Sequence, residues 1–199
     1  MISGRGSNMV SLVEAFRDRP QDVTPAIVLS NVPGAAGLDR AAALSIPTAT
    51  VDHRAHDNKT AFETAIDAAL RTAEVDLVCL AGFMRILSPW FVERWQGQVL
   101  NIHPSLLPSF RGLDTHARAL AARVTLHGVT VHEVTADLDD GPILGQAAIR
   151  VRPDDTAETL ARRLLPAEHA LYPAAVAKAL GLAPLALPTV PGEEVFFSV

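Results

Sequence analysis

Short apolar runs alternate with amphipathic segments along the first half of the chain. Residues 25–30 (PAIVLS) read as a buried strand, residues 34–44 as a short Ala-rich helix and residues 48–51 as a brief strand. Over residues 58–73, Phe62, Ala65, Ile66, Ala69 and Leu70 fall on one face at the helical period, which predicts an amphipathic helix. Residues 76–81 (DLVCLA) predict another buried strand with Cys79, a buried and inert thiol, in its middle. Ser88-Pro89 reads as an N-cap followed by a first helical residue, and residues 99–102 as a strand. Residues 127–134 alternate and predict a strand, as do residues 143–151. A long helix follows over residues 156–180, with Pro166 the place where it would kink, and residues 184–191 are Pro-rich and extended.

The β-α-β-α-β rhythm of the first half is the mark of a doubly wound α/β fold. The tight turns of the second half add strand neighbours, so the expected architecture is Rossmann-like: a mostly parallel, mixed sheet with helices on both faces. No repeat, low-complexity tract or linker interrupts it, and the expectation is one domain over residues 1–199. Its first strand reads as truncated, since only Met1 and Ile2 precede the turn at Ser3-Gly4.

Composition narrows the function classes. The chain has 199 residues, 49% hydrophobic and 20% charged, a globular rather than disordered balance. No apolar stretch is long enough to span a bilayer, and Arg5 with its polar neighbours does not make a signal peptide. A single cysteine allows no intramolecular disulfide, and together these features predict a cytoplasmic protein. The net charge of −5 argues against nucleic acid as a partner but leaves room for a small anionic ligand.

Three motifs carry candidate chemistry. Gly4-Arg5-Gly6-Ser7-Asn8 stands between an apolar start and a helix containing Val10, Val13 and Phe16. Such a turn presents free backbone N–H groups to a phosphate, or is an ordinary strand-to-helix turn; dinucleotide spacing fails because Met9 stands where a third glycine belongs. In residues 101–108 (NIHPSLLP), Asn101 and His103 lie at the C-terminal end of a strand, on one side of it, where open α/β sheets bind ligands. An amide and an imidazole side by side suit acyl transfer, the amide donating to an oxyanion and the imidazole moving a proton; the plainer reading is a turn cap and a backbone-bonded histidine. In residues 138–142 (LDDGP) a carboxylate on a loop can meet His103, or simply form an Asp-Gly turn. Metal binding is not expected: His53 and His56 lie in a polar, exposed stretch, and His127 and His132 lack a ligand-pair spacing. A serine hydrolase is not expected either, because no GxSxG elbow is present.

SGRGSN at residues 3–8, AGFMRILSP at 81–89, NIHPSLLPSFRG at 101–112, HGVTVHEV at 127–134, LDDGPI at 138–143 and EHALYP at 168–173 occur in this order. Over nearly its whole length the chain resembles the glycinamide ribonucleotide formyltransferases, a branch of the folate-dependent formyltransferase superfamily. The resemblance implies attack by the amine of glycinamide ribonucleotide on the formyl carbon of 10-formyltetrahydrofolate, with tetrahydrofolate leaving. It implies a folate cosubstrate, no metal and no tightly bound cofactor. Asn101, His103 and Asp139 match its catalytic set, with Asp139 holding the imidazolium. Gly6, Ser7 and Asn8 match its phosphate loop, and Glu168 a carboxylate near the ribonucleotide. Lys59, Met84, Arg85, Ile86 and Leu87 match folate-side positions, which Asn101 shares. The chain departs from the pattern at Asp114, where a histidine is common, and at Leu165 and Pro166 ahead of EHALYP.

The implied partners are therefore small molecules, without nucleic acid or membrane, on a monomer or homodimer. A 10-formyltetrahydrofolate hydrolase would share Asn101, His103 and Asp139, but it lacks SGxGSN and carries a further regulatory domain. A methionyl-tRNA formyltransferase would need RNA contacts and a C-terminal domain. A catalytically idle folate- or nucleotide-binding protein would not need the catalytic set.

Overall fold

In a computed structural model that describes residues 1–199, the chain divides into two compact units, Met1–Leu100 and Asn101–Val199. The first unit holds α1 (Ser7–Ala15), β1 (Val28–Ser30), α2 (Ala36–Ala43), β2 (Thr48–Thr50), a 3-10 turn (His53–Ala55), α3 (Lys59–Thr72), β3 (Val78–Leu80) and α4 (Pro89–Arg94). β1 and β2 pair in parallel, with Val28 opposite Thr48, as a connection through α2 requires. Met1 and Ile2 take the place of a strand between β1 and β3. Ile2 N–H donates to the Leu29 carbonyl at 2.9 Å and Ile2 bridges Ser30 in parallel, while the Met1 carbonyl accepts from Ala81 N–H at 2.8 Å. Ile2 is fully buried.

α3 begins where Asn58 accepts from Ala61 N–H at 2.9 Å, a side-chain N-cap. Its buried stripe is Phe62, Ile66 and Leu70, each side chain contributing roughly 1.5–3 kcal/mol on burial. Ala65 and Ala69 flank that stripe half-buried, and two acids, Glu63 and Asp67, are buried instead. α4 starts as its sequence predicts, with Ser88 accepting from Phe91 N–H and Pro89 at the first position.

The second unit contains the end of β4 (Val99–His103), α5 (Thr115–Ala121), β5 (Leu126–Glu133), β6 (Ile143–Arg150), α6 (Ala157–Ala179) and β7 (Val195–Ser198). Its sheet runs β4, β5, β6, β7, with β5-β6 and β6-β7 antiparallel. The pairing slips between Val131 and His132, a bulge that shifts the register from Val131 opposite Gly145 to His132 opposite Ile143. Gly128 permits the β5-β6 approach: a Cβ there would stand 2.0 Å from the Ala147 carbonyl oxygen. α6 opens on a capping box between Thr156 and Thr159 and buries Leu160, Leu164, Leu171 and Tyr172.

The α/β class is as the sequence predicts, with parallel pairing in the first unit and antiparallel pairing in the second. Details differ. The strand expected over residues 25–30 is only Val28–Ser30, because Pro25 has no N–H for a ladder. β5 does not alternate: residues 127–132 are all buried, so both faces of this strand are covered. Cys79 is half-buried rather than buried, on the middle residue of β3. His53 and His56 are half-buried, their rings packed 6.2 and 5.9 Å from Phe62. α5, β7 and the 3-10 turn carry periodicities too short to predict. No helix is long and apolar enough to cross a membrane.

Candidate active site

Asn101 and His103 occupy alternate positions at the end of β4, which turns both side chains the same way. His103 is buried and its two ring nitrogens face oxygen acceptors. Nε2 lies 3.1 Å from the Phe110 carbonyl oxygen, and Nδ1 lies 3.4 Å from Asp139 Oδ2. An imidazolium satisfies both acceptors, since it alone carries protons on both nitrogens. The same oxygen of Asp139 is also held by Gly112 N–H, which donates to Oδ2 at 2.9 Å. The loop reaches this position through a left-handed residue, Asp139 at φ 51°, followed by Gly141. Any Cβ at Gly141 would stand 1.9 Å from the Glu133 carbonyl oxygen, so the turn leaves no room for a side chain.

His132 completes the cluster. Its Nδ1 lies 2.8 Å from the Glu133 carbonyl oxygen and its Nε2 3.3 Å from Asn101 Nδ2. Burial pushes its pKa down, against the Glu133 carbonyl and Asp139, which raise it. A neutral ring with its proton on Nδ1 donates to Glu133 and accepts from one N–H of Asn101, which fixes the amide and leaves its second N–H free to serve a ligand oxygen. Although His132 Nε2 is 3.7 Å from Asp139 Oδ1, a neutral imidazole makes no ion pair there.

Behind His103, His116 Nδ1 and His127 Nε2 lie 3.1 Å apart. Burial, aided by the neighbouring His116, lowers His127 to about 4. Burial lowers His116 as well, and His103 adds to it. Arg111 pairs with Asp140, tying residues 110–112 to the Asp139 loop once more at the surface.

The first unit carries the other expected positions. Gly6 is the left-handed N-cap of α1 (φ 71°), so Ser7 and Asn8 open the helix, and Gly6 accepts from Val10 N–H at 3.0 Å. α2 crowds this turn, since Gly37 N–H donates to the Gly4 carbonyl at 3.0 Å. A helix N-terminus without a side-chain cap, at a Gly-rich turn, suits an anionic ligand group. Met84, Arg85, Ile86 and Leu87 form an irregular segment between β3 and α4. Met84 and Ile86 are 70% and 66% exposed, Arg85 is exposed, and Leu87 is buried. Lys59 opens α3 and stands 3.9 Å from Glu63, which in turn bonds Ser88 next to that segment. In the second unit, Glu168 lies half-buried on α6. Leu165 and Pro166 continue this helix without interrupting it, and Asp114 is the left-handed residue that opens α5.

Residues 1–176 match the family model for formyl transferases. The chain belongs to the formyl transferase family. Among curated relatives, it is 48% identical over 176 residues to the trifunctional purine biosynthetic protein adenosine-3 of Bos taurus, covering 88% of this chain but only 17% of that much longer protein. It is 42% identical to the phosphoribosylglycinamide formyltransferase of Escherichia coli, covering 87% of this chain and 82% of that one. The crystal structure of phosphoribosylglycinamide formyltransferase from Brucella melitensis superposes with a TM-score of 0.86 at 48% identity, over 93% of this chain and 95% of that one.

Membership in the formyl transferase family implies a folate-type cosubstrate. Three of the expected residues, Asn101, His103 and Asp139, are brought together, Asn101 through His132. In the sequence His132 stands only within HGVTVHEV, with no role of its own. It stands beside a register shift at Val131/His132, which no residue type announces.

Proposed function

We propose that this chain transfers the formyl group of 10-formyltetrahydrofolate to the amine of glycinamide ribonucleotide, giving N-formylglycinamide ribonucleotide and tetrahydrofolate. The observation that carries the reading is the cluster of Asn101, His103 and Asp139 around the buried His103 ring, set in a chain whose relatives of similar length are named for this activity. The amine nitrogen bonds to the formyl carbon and the formyl oxygen becomes an oxyanion. The free N–H of Asn101 and the Nε2–H of His103, turned from the Phe110 carbonyl to the ligand, stabilise that oxyanion, the kind of donor worth about 10²–10³ in rate. The bond from carbon to folate nitrogen then breaks. The proton lost by the amine goes to the departing nitrogen, with His103 as the relay and Asp139 compensating its charge.

Gly6, Ser7 and Asn8 hold the ribonucleotide phosphate at the start of α1, and Glu168 serves its polar end. Met84, Arg85, Ile86, Leu87 and Lys59 serve the folate. The folate is a cosubstrate that comes and goes, and the reaction needs no tightly bound cofactor or metal. Product analysis with 10-formyltetrahydrofolate, with and without glycinamide ribonucleotide, tests this. Formylated ribonucleotide and tetrahydrofolate in equal amounts are expected; formate released at the same rate without the ribonucleotide would make the chain a hydrolase instead.

A further inference from the structure

The segment of residues 82–88 has no regular structure, so its backbone must find partners outside a ladder; beyond the Gly82 carbonyl, which accepts from Ser3 N–H at 3.0 Å, it turns to side chains. Two are supplied. Near its start, Met84 N–H donates to Ser3 Oγ at 2.8 Å, and Ser3 Oγ–H donates to Asn31 Oδ1 at 2.5 Å. At its end stands Glu63, a fully buried acid on α3. Ser88 N–H donates to Glu63 Oε1 at 2.8 Å, and Ser88 Oγ–H donates to Glu63 Oε2.

A buried carboxylate costs several kcal/mol unless it is well bonded. Asp67, one turn further along α3, meets that cost with Arg94 at 2.9 Å, Trp95 Nε1 at 2.9 Å and Arg71 at 3.4 Å. Those bonds tie α3 to the far end of α4. Glu63 has one ammonium, Lys59 at 3.9 Å, and spends its short bonds on a single serine. That serine already has a task as the N-cap of α4, accepting from Phe91 N–H at 3.3 Å. By taking the hydroxyl proton, Glu63 turns the oxygen lone pairs of Ser88 toward Phe91. By taking the backbone N–H, it fixes the peptide between Leu87 and Ser88. Glu63 therefore controls the exit of the segment that carries Met84, Arg85, Ile86 and Leu87.

We infer that Glu63 is a positioning residue for folate: acting through Ser88, it holds residues 84–87 in the backbone conformation that receives the reduced pterin. The inference rests on the folate role given to that segment under Proposed function. It assigns Glu63 no contact with the ribonucleotide and no part in the chemical step.

Glu63→Gln keeps the volume and one acceptor but replaces the second acceptor with a donor, so the Ser88 hydroxyl loses its partner. Calorimetric titration of the folded chain with tetrahydrofolate, and separately with glycinamide ribonucleotide, reads the effect. We expect tetrahydrofolate to bind about tenfold more weakly, ribonucleotide affinity to stay within about twofold, and KM for 10-formyltetrahydrofolate to rise with little change in kcat. Tenfold corresponds to about 1.4 kcal/mol. Ser88→Ala should reproduce the loss, and the double variant should lose no more than the larger single, since both act along one path. Ser88→Ala also carries the test by itself if Glu63→Gln does not fold. Unchanged folate affinity, equal losses for both ligands, or additive losses in the double variant would each overturn the inference while leaving the proposed reaction standing. A wild-type chain that binds no tetrahydrofolate would overturn both.

Discussion

Around Asp139 the polar side chains are buried or half-buried and tied to one another and to nearby backbone: His103 to Asp139 and the Phe110 carbonyl, Asn101 to His132, and Asp139 to Gly112 N–H. Along residues 84–87 the side chains of Met84, Arg85 and Ile86 face outward, and the segment is held by its backbone, through Ser3 at one end and Glu63 at the other. Side chains that act on a reaction need fixed protons, and burial together with mutual hydrogen bonding fixes them. A segment that recognises a flat, polar ring needs a fixed backbone, and its own side chains are then free to vary. The two regions should therefore fail differently, the first in kcat and the second in KM.

The largest effect is expected in the buried cluster. Asn101→Ala, His103→Ala and Asp139→Ala should each lower kcat by about 10²-fold or more, with KM for both substrates changed little. Because the three act as a unit, double variants should lose less than the product of the singles. Steady-state kinetics on folded variants checks this, and near-normal turnover of Asp139→Ala would remove Asp139 from the chemistry. His132→Gln, which can accept from Asn101 only through a repositioned amide, should fall between these variants and the wild type.

The next effect concerns what lies behind the cluster. His127 is held near 4, below the ordinary histidine value of 6.5, mainly by burial. Between those two values the unfolded chain binds a proton that the folded chain refuses. Stability is therefore fully present above about pH 6.5 and falls as pH drops toward 4. At about 1.4 kcal/mol per pH unit the loss approaches roughly 3 kcal/mol. Urea unfolding across this window should show the slope, and His127→Gln should flatten it. An equally steep slope in the variant would place the titrating group elsewhere.

Crowding at the phosphate turn gives a smaller effect, on the binding side. A Cβ at Gly37 would stand 2.4 Å from Ile2 Cδ1, 2.9 Å from the Gly4 carbonyl oxygen and 3.2 Å from Gly6 Cα. Ile2 can yield, but the two backbone contacts cannot without moving the turn. Gly37→Ala should cost about 1–3 kcal/mol of stability and raise KM for the ribonucleotide, with kcat and KM for folate nearly unchanged. A lower Tm with normal ribonucleotide KM would take residues 6–8 out of phosphate binding.

The contrast between the regions also explains what the sequence could reveal. Asn101 and His103 were legible because a strand of period two places them together at its end; Asp140-Gly141 marked a turn, and only the family resemblance singled out Asp139 on it. Ser88-Pro89 was legible because capping is a local event. His132 was not, since continuous burial hides the strand's alternation there. Glu63 was not legible for the opposite reason. It stands on α3 beside the apolar stripe, where an acid reads as solvated, and its partner lies 25 residues away. Local periodicity reports which face is buried; it does not report which polar group a neighbouring loop will bring to that face.

The smallest effect belongs to Lys59, and it tests whether this residue serves the fold or the ligand. Its side chain is 46% exposed and 3.9 Å from Glu63, an i,i+4 pair. As a contribution to the helix this is poor. The cation stands at the N-terminal end of α3, where the helix dipole disfavours it, and a lysine preceding its acid is the weaker order of an i,i+4 pair. Lys59→Met should therefore cost no more than about 1 kcal/mol, since Glu63 keeps both of its Ser88 hydrogen bonds without it. A folate carries carboxylates at its glutamate end, and an exposed pair with one of them is worth up to about 1 kcal/mol. KM for 10-formyltetrahydrofolate should accordingly rise, by up to about fivefold, with kcat unchanged. The difference should close near 1 M salt, where the screening length falls to about 3 Å. A KM difference that persists at high salt, or a large drop in Tm, would make Lys59 a structural partner of Glu63 rather than a contact for the folate.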